Sequence, residues 1–540
     1  MTMTGATGGL PGRAALALLG LIVGGAFAGL ALSAWRQGGD VAGAFDTYLW
    51  NAARFTLWQA ALSTLLSVVP ALLLARALFL NPRLPGRGLV IGLFALPLAI
   101  PSIVAAMATL ALYGRAGLLA PWLGPLAGGS WPGVFGLSGI LLAHVFFNLP
   151  LATRLFLEAL DAIPPDRWRL AAQLGMPAPS RFRLIEWPAL GAALPGAAGL
   201  VFMLCATSFA IVLTLGGGPG ASTLEVAIYQ ALRFDFDPAR AAALTLTQLA
   251  LTGLLVAGLM RIGAPLTGEA NLTLSRQSWR PAPSPFERRL AMVVVLAGTA
   301  FVAGPILAIA VAGLRADLAR LAMEPDLHRA LATSLVIALA SALLALALTL
   351  ALLRLRLDRE RSRRVPRPGW LEWLAGNGSA LILLVPPVLV GAGWFILAVE
   401  AGQVRHTNLF GPVLVVTVNA AMAMPFVMRL LRPAHDAAAE RHDRLAANLG
   451  MSVWTRLRLV DLPALKRPLV AGFAFAMALS LGDLGVIALF GSDDFETLPW
   501  LLLARMGSYR TADAAGLALI LALLCLLLMM AAGRAGRQQA

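Results

Sequence analysis

Among 540 residues the chain has one lysine, two cysteines and only 13% charged residues, and each scarcity closes off a class of chemistry. A phosphate-cradling loop, G-x-x-x-x-G-K-[ST], needs a lysine to engage the phosphates. The one lysine, Lys466 in ALKRP, cannot supply that pattern, so no ATP site of this kind lies on the chain. Cys205 and Cys525 sit inside apolar runs without ligand-type spacing. They read as small core hydrophobes, and neither a disulfide framework nor a metal site is expected. Soluble domains are about a quarter charged; a chain that is 59% hydrophobic, with mean hydropathy +0.79, lacks the polar surface to cover a water-facing core. A net charge of +15 suits nucleic-acid binding in sum. The basic residues lie between apolar runs and form no stripe, so no nucleic-acid partner is expected, and no cofactor.

What is abundant is apolar sequence in long runs. A bilayer core of about 30 Å needs roughly 20 apolar residues per helix. Twelve runs qualify: 14–35, 55–80, 88–112, 135–157, 189–214 and 240–260, then 290–314, 330–353, 378–399, 409–428, 468–490 and 514–532. Several contain proline (Pro97, Pro101, Pro305, Pro386, Pro387), which membrane helices tolerate where neighbours satisfy the freed backbone groups. The first run, preceded by Arg13, is expected to stay as a helix rather than be cleaved as a signal peptide, given its length and weakly basic leader.

Lysine and arginine placement sets orientation. With the N-terminus in the cytoplasm, 31 of the 42 basic residues fall in inside segments and 11 outside, and none falls in mid-membrane. The acidic residues split evenly, leaving Asp483 alone within a span. The expected architecture is therefore an all-α polytopic membrane protein with both termini cytoplasmic.

The chain repeats itself. RLAAQLGMPAPSRFRLIEWPAL at 169–190 matches RLAANLGMSVWTRLRLVDLPAL at 444–465, an offset of 275, with 13 of 22 positions identical. Both copies fall between the fourth and fifth spans of a six-span unit, on the inside, and six is even, so the duplication is parallel. The expected division is 1–50, a first helix and outer loop; 51–262, a first repeat domain; 263–328, a polar, proline-containing linker with the seventh span; 329–532, a second repeat domain; and 533–540, a tail. Within each loop a short helix is expected from Asp166 or Arg441, with Leu170, Ala171 and Leu174 (Leu445, Ala446, Leu449) on one face. Gly175 and Gly450 are placed to end it in a left-handed conformation. A second short helix follows, and Pro188 and Pro463 restart the chain as the next span. Loop spacing usually drifts freely; here Gly, Ala pair and Pro keep register, which points to docking of a partner rather than to an idle positive-inside loop.

This loop resembles the EAA motif of binding-protein-dependent ABC importer permeases. Gly175 to Pro188 and Gly450 to Pro463 keep that motif's spacing. The resemblance implies a type I importer (MetI-like) fold, with each loop seated in a cleft of a nucleotide-binding subunit. The docking residues it implies are Arg169, Ala171, Ala172, Gly175 and Pro188, and Arg444, Ala446, Ala447, Gly450 and Pro463. The motif's leading Glu is replaced by Arg169 and Arg444, and Trp187 stands for the Leu before Pro188. LALYGRAGLLAP (110–121), LLAHVFFNLPLATRLFLEAL (141–160), VFMLCATSFAIVLTLGGGP (201–219), LEVAIYQALRFDFDPARAA (224–242) and LSLGDLGVIALFGSDDFETLP (479–499) resemble the fused permeases of bacterial thiamine importers. The family implies thiamine and its phosphate esters as cargo, an ABC ATPase in two copies, a periplasmic binding protein, and lipid around the spans. Fused permeases of ferric-iron importers are the competing family. A twelve-helix facilitator fits less well, because its loop 76–87 would be plain and Asp483 would be the one intramembrane acid.

Asp483, in SLGDLG, has Ser208 as its repeat partner; the two are the candidate path residues. An intramembrane acid is a functional-site hypothesis by default. Asp483 either faces the path of a cationic cargo or hydrogen-bonds neighbouring helices near the outer end of its span. The outer loops 215–239 and 491–513 are read as binding-protein contacts or solvated linker, Tyr229 and Tyr509 as interfacial anchors, and His435 and His442 as surface residues.

Overall fold

The computed structural model describes residues 10–36, 43–261, 284–362, 369–382, 385–400, 410–492 and 495–537. Among them there is no β-strand beyond one isolated bridge between Ser492 and Phe495. Before the linker run α1 (Leu10–Arg36), α2 (Thr47–Leu80), α3 (Arg87–Leu93), α4 (Ser102–Tyr113), α5 (Leu137–Asp161), α6 (Pro165–Gln173) and α7 (Ala178–Arg181). A π turn (Phe182–Glu186) joins α7 to α8 (Trp187–Ala206), followed by α9 (Ala210–Leu215), α10 (Leu224–Arg233) and α11 (Pro238–Arg261). After it run α12 (Pro285–Leu314), α13 (Leu318–Met323), α14 (Pro325–Ser362), α15 (Trp370–Ile382), α16 (Pro387–Glu400), α17 (Phe410–Asn448) and α18 (Val453–Arg456). A second π turn (Leu457–Asp461) leads into α19 (Leu462–Leu481), α20 (Gly485–Phe490), α21 (Leu498–Gly507) and α22 (Thr511–Arg537). The π turns, α8/α19 and α9/α20 recur 275 residues apart.

Ten helices among the described residues are long and apolar enough to cross a bilayer, eleven if one bent pair is a single span. Four of the expected runs are broken. The run 88–112 bends by 116° between its two parts, at a proline-flanked 3-10 turn, Pro97–Ala99, and Pro101. The run 378–399 divides into α15 and α16 around Pro386 and Pro387, whose rings cannot accept the preceding helical turn. The run 189–214 also stops after Ala206 and restarts at Ala210, and 468–490 stops after Leu481 and restarts at Gly485. Windowed hydropathy cannot see such breaks, because all but one of the residues across them, Asp483, are apolar or small.

The loop after the fourth run folds differently in its two copies. Pro164 and Pro165 separate α5 from α6, since a proline lacks the donor that would continue the ladder and biases the residue before it to extended backbone. The equivalent residues 275 further on are Ala439 and Glu440, both helix formers. There α17 runs unbroken to Asn448, so the separate short helix expected from Arg441 is the end of a longer one.

Leading helices cross over. α1 lies on α14 and α16, beyond the linker, and α12 lies on α2 and α4 as well as on α22. Small residues make the first contact close: a Cβ on Gly29 would come within 2.1 Å of the Gly393 carbonyl oxygen. Helix association in lipid relies on such approaches because apolar burial alone gives little drive there. α2, α5 and α8 pack together, as do α14, α17 and α19. At about 1.5 Å per residue the 38-residue α14 spans about 57 Å, so it projects well beyond a 30 Å hydrocarbon core.

Candidate functional site

α6 ends as the sequence predicts. Gly175 has φ 60° and Gly450 has φ 61°, a backbone conformation that costs a residue with Cβ about 1–2 kcal/mol. Nothing lies within 4 Å of a Cβ built on either, so conformation and not crowding calls for glycine. Met176 N–H donates to the Ala171 carbonyl (3.0 Å) and Gly175 N–H to that of Ala172 (3.1 Å), closing the helix end. Met451 N–H repeats the Met176 bond, donating to the Ala446 carbonyl at 3.0 Å.

The face expected to unite Leu170, Ala171 and Leu174 is split. Ala171 turns inward beside the fully buried Trp168, which packs on Phe79 at 5.5 Å between ring centroids. The leucines turn outward. Leu170, Leu174 and Leu184 are 56%, 68% and 62% exposed, and Leu445, Leu449 and Leu459 are 58%, 62% and 62% exposed. The reason is angular: residues one apart on a helix differ by about 100°, whereas i and i+4 align. Ala446 is buried like its counterpart Ala171. Ala172, Gly175, Pro188, Gly450 and Pro463 are exposed. Arg169 reaches back to Asp166 at 3.2 Å, a solvated pair. The side chains of Arg444 and Ala447 lie outside the described residues.

Pro188 and Pro463 do not restart the chain. Each π turn carries its helix through into the span, with Trp187 N–H donating to the Phe182 carbonyl five residues back in the first copy. A turn of this width absorbs the donor that Pro188 lacks, and single π turns are frequent at functional sites. Each closes on a buried acid that the sequence reading passed over. Glu186 accepts from Arg76 Nε at 2.6 Å, and Asp461 from an Arg354 terminal nitrogen at 2.9 Å. Arg76 also reaches Glu287 at 3.2 Å, and Arg456 stands 3.4 Å from Asp461. The available signal was an acid at one offset in both loops.

Asp483 and Ser208 occupy the breaks α19–α20 and α8–α9. One Asp483 oxygen accepts from Gly485 N–H at 3.3 Å; the other is buried without a hydrogen-bond partner among the described residues. A Cβ on Gly482 would sit 3.0 Å from Pro101, so this break abuts the bend in the third run. Ser208 is partly buried. Around its break Gln59 Nε2 donates to the Cys205 carbonyl at 2.8 Å, and Asn148 Nδ2 to Cys205 Sγ at 3.3 Å. At the other break Asn419 Nδ2 donates to Ser480 Oγ at 3.0 Å.

The segments 215–239 and 491–513, expected outside, are not loops throughout, since α10 and α21 fill much of them. Their first amides are capped from other helices: Thr56 Oγ1 accepts from Leu224 N–H (3.0 Å) and Ser334 Oγ from Leu498 N–H (2.8 Å). Tyr229, expected as an interfacial anchor, is buried between Phe209 and Phe234; Tyr509 is 91% exposed. His435 is buried beside Asp436 rather than on the surface, and His442 is partly buried. No group of three or more metal-ligating side chains occurs among the described residues.

An all-helical chain with about ten spans, ending in a segment (365–537) that matches the profile of the binding-protein-dependent transport system inner membrane component, is a transport permease of that class. The thiamine transport system permease protein ThiP of Brucella abortus (strain 2308) is 54% identical over 533 residues, covering 98% of this chain and 96% of that one. ThiP of Escherichia coli (strain K12) is 43% identical, over 89% of this chain and 88% of its own. ThiP of Haemophilus influenzae is 39% identical, over 89% and 87%. The chain belongs to the thiamine transport system permease family.

Proposed function

We propose that the chain is the permease subunit of an ATP-driven importer that carries thiamine, with its phosphate esters, across the inner membrane. A periplasmic binding protein delivers the cargo, and ATP hydrolysis falls to a separate ATPase bound in two copies, one on each loop. The observation that carries this reading is the pair of loops: a helix with two outward leucines, closed by a left-handed glycine and followed by a third outward leucine, twice at an offset of 275. Exposed apolar clusters of this kind mark protein contacts. Relatives named as thiamine permeases over nearly the whole chain supply the cargo.

In this reading twelve spans, four of them broken, form parallel six-helix halves with both termini cytoplasmic, and domains fall at 51–262 and 329–532. Lipid surrounds the spans. Arg169, Ala171, Ala172, Gly175 and Pro188, with Arg444, Ala446, Ala447, Gly450 and Pro463, form the docking loops. Asp483 and Ser208 line the path, where the unpartnered carboxylate oxygen suits a cationic cargo. Closure of the ATPase pair shifts the loops and alternates the side to which the path opens. Reconstitution with ATPase and binding protein, comparing labelled thiamine with ferric iron, tests the assignment. ATP-dependent uptake of thiamine is expected; uptake of iron alone overturns it.

A further inference from the structure

The loops need a rigid link to the spans they are to move, and the two buried acids at the ends of the π turns supply one. Glu186 is 1% exposed and Asp461 6%. Taking a carboxylate out of water costs several kcal/mol unless it is paired, and an apolar contact of the same size would hold the helices at least as firmly. The pairing nonetheless occurs twice. Arg76 near the C-terminus of α2 meets Glu186, and Arg354 in α14 meets Asp461. α2 and α14 begin 278 residues apart, so Arg76 and Arg354 hold the same position in their helices, while Glu and Asp differ in length by one methylene. In each loop the acid lies two residues after an exposed leucine, Leu184 or Leu459, on the same turn. A push on the leucine reaches the arginine through a single widened turn. In the first copy the link branches, because Arg76 and Arg181 also face Glu287, whose carboxylate closes the capping box that starts α12.

We infer that Arg76–Glu186 and Arg354–Asp461 are the bridges that pass loop displacement to the second and eighth spans, the four residues acting as positioning residues for transport. The inference rests on the docking reading of the loops. The Arg76 bridge ties its loop both to the second span and to the start of the seventh, whereas the Arg354 bridge ties its loop to the eighth span, with Arg456 of that loop on the same carboxylate.

The test uses the full chain with its ATPase and binding protein in proteoliposomes and reads thiamine taken up per ATP hydrolysed. In Glu186→Gln combined with Asp461→Asn, the ATPase should still co-purify and hydrolyse ATP. The uptake ratio should fall by roughly 5- to 150-fold, the usual range of coupling between two sites. Glu186→Asp with Asp461→Glu keeps both charges and should restore most of the ratio. An unchanged ratio in the neutral double variant overturns the inference. So does loss of the ATPase from that variant, which would make the bridges assembly contacts. The docking reading fails separately, if Leu174→Asp with Leu449→Asp, which leaves both bridges in place, still retains the ATPase.

Discussion

Trp394 Nε1 donates a 2.8 Å hydrogen bond to the carbonyl of Ile22, tying the first helix to one that lies beyond the linker. The bond sits beside a close helix approach, Gly29 on Gly393. A Cβ at Gly29 has nowhere to go, so Gly29→Ala must push α1 off α16. Overpacking of this kind costs about 1–3 kcal/mol. The detergent-solubilised variant should melt several degrees lower, while Gly24→Ala, where nothing lies within 4 Å of an added Cβ, should melt as wild type. Equal melting of both variants would contradict the packing.

Gly175→Ala and Gly450→Ala act through conformation alone, since the space around each is open. Holding alanine at φ near 60° costs about 1–2 kcal/mol, which converts to a factor of 5–30 in an equilibrium. Affinity for the ATPase subunit, titrated against nanodisc-embedded permease, should weaken by about that factor for each variant. Gly175→Asn should weaken it less, because asparagine tolerates the left-handed region.

These glycines were legible in the sequence, and so was the offset that paired them. A loop that keeps its register through duplication reveals its fixed points without any structure. The bridges were not legible in the same way. Glu186 and Asp461 share the 275 offset, but Arg76 and Arg354 are 278 apart, because the segment between span and loop is three residues shorter in the second copy. Read singly, those arginines were only part of a positive-inside count. The spans were legible as apolar runs, and their breaks were not, because hydropathy carries no direction. The prolines at 97, 101, 386 and 387 marked two of them, and Asp483 a third. The inward turn of Ala171 and the outward turn of its leucine neighbours needed the packing of Trp168 on Phe79 to be seen.

Arg169 stands where the family motif has an acid, and its contact with Asp166 is solvated, worth at most about 1 kcal/mol. Charge reversal, Arg169→Glu with Arg444→Glu, should therefore leave the melting temperature within a degree or two of wild type. On the docking reading coupled ATP hydrolysis should fall, because the loop surface changes sign. Unchanged turnover in the reconstituted complex would remove both arginines from docking.

Asp483→Asn keeps the shape of the side chain and removes its charge. If the buried, unpartnered oxygen faces the path, thiamine uptake should drop about tenfold or more, the effect expected of a buried charge contact worth at least 1.4 kcal/mol. On the docking reading ATPase binding should be unaffected, since the length of α19 separates the break from the loop that ends at Asp461. Uptake at the wild-type rate, with normal amounts in the membrane, would place Asp483 outside the mechanism.

Glu225, at the start of α10 and outside the spans, is 1% exposed, and one of its oxygens has no hydrogen-bond partner among the described residues. Burial pushes its carboxyl up from the ordinary 4.5 to about 8. The folded chain then holds a proton that the unfolded chain releases near pH 4.5, so this group's contribution to stability is present at low pH and lost as pH rises towards 8. Glu225→Gln has no such loss. Its melting temperature should match wild type near pH 4, exceed it increasingly between about pH 5 and 8, and keep a constant lead above that. A lead that is the same at pH 4 and pH 9 would mean that Glu225 is not held protonated by burial.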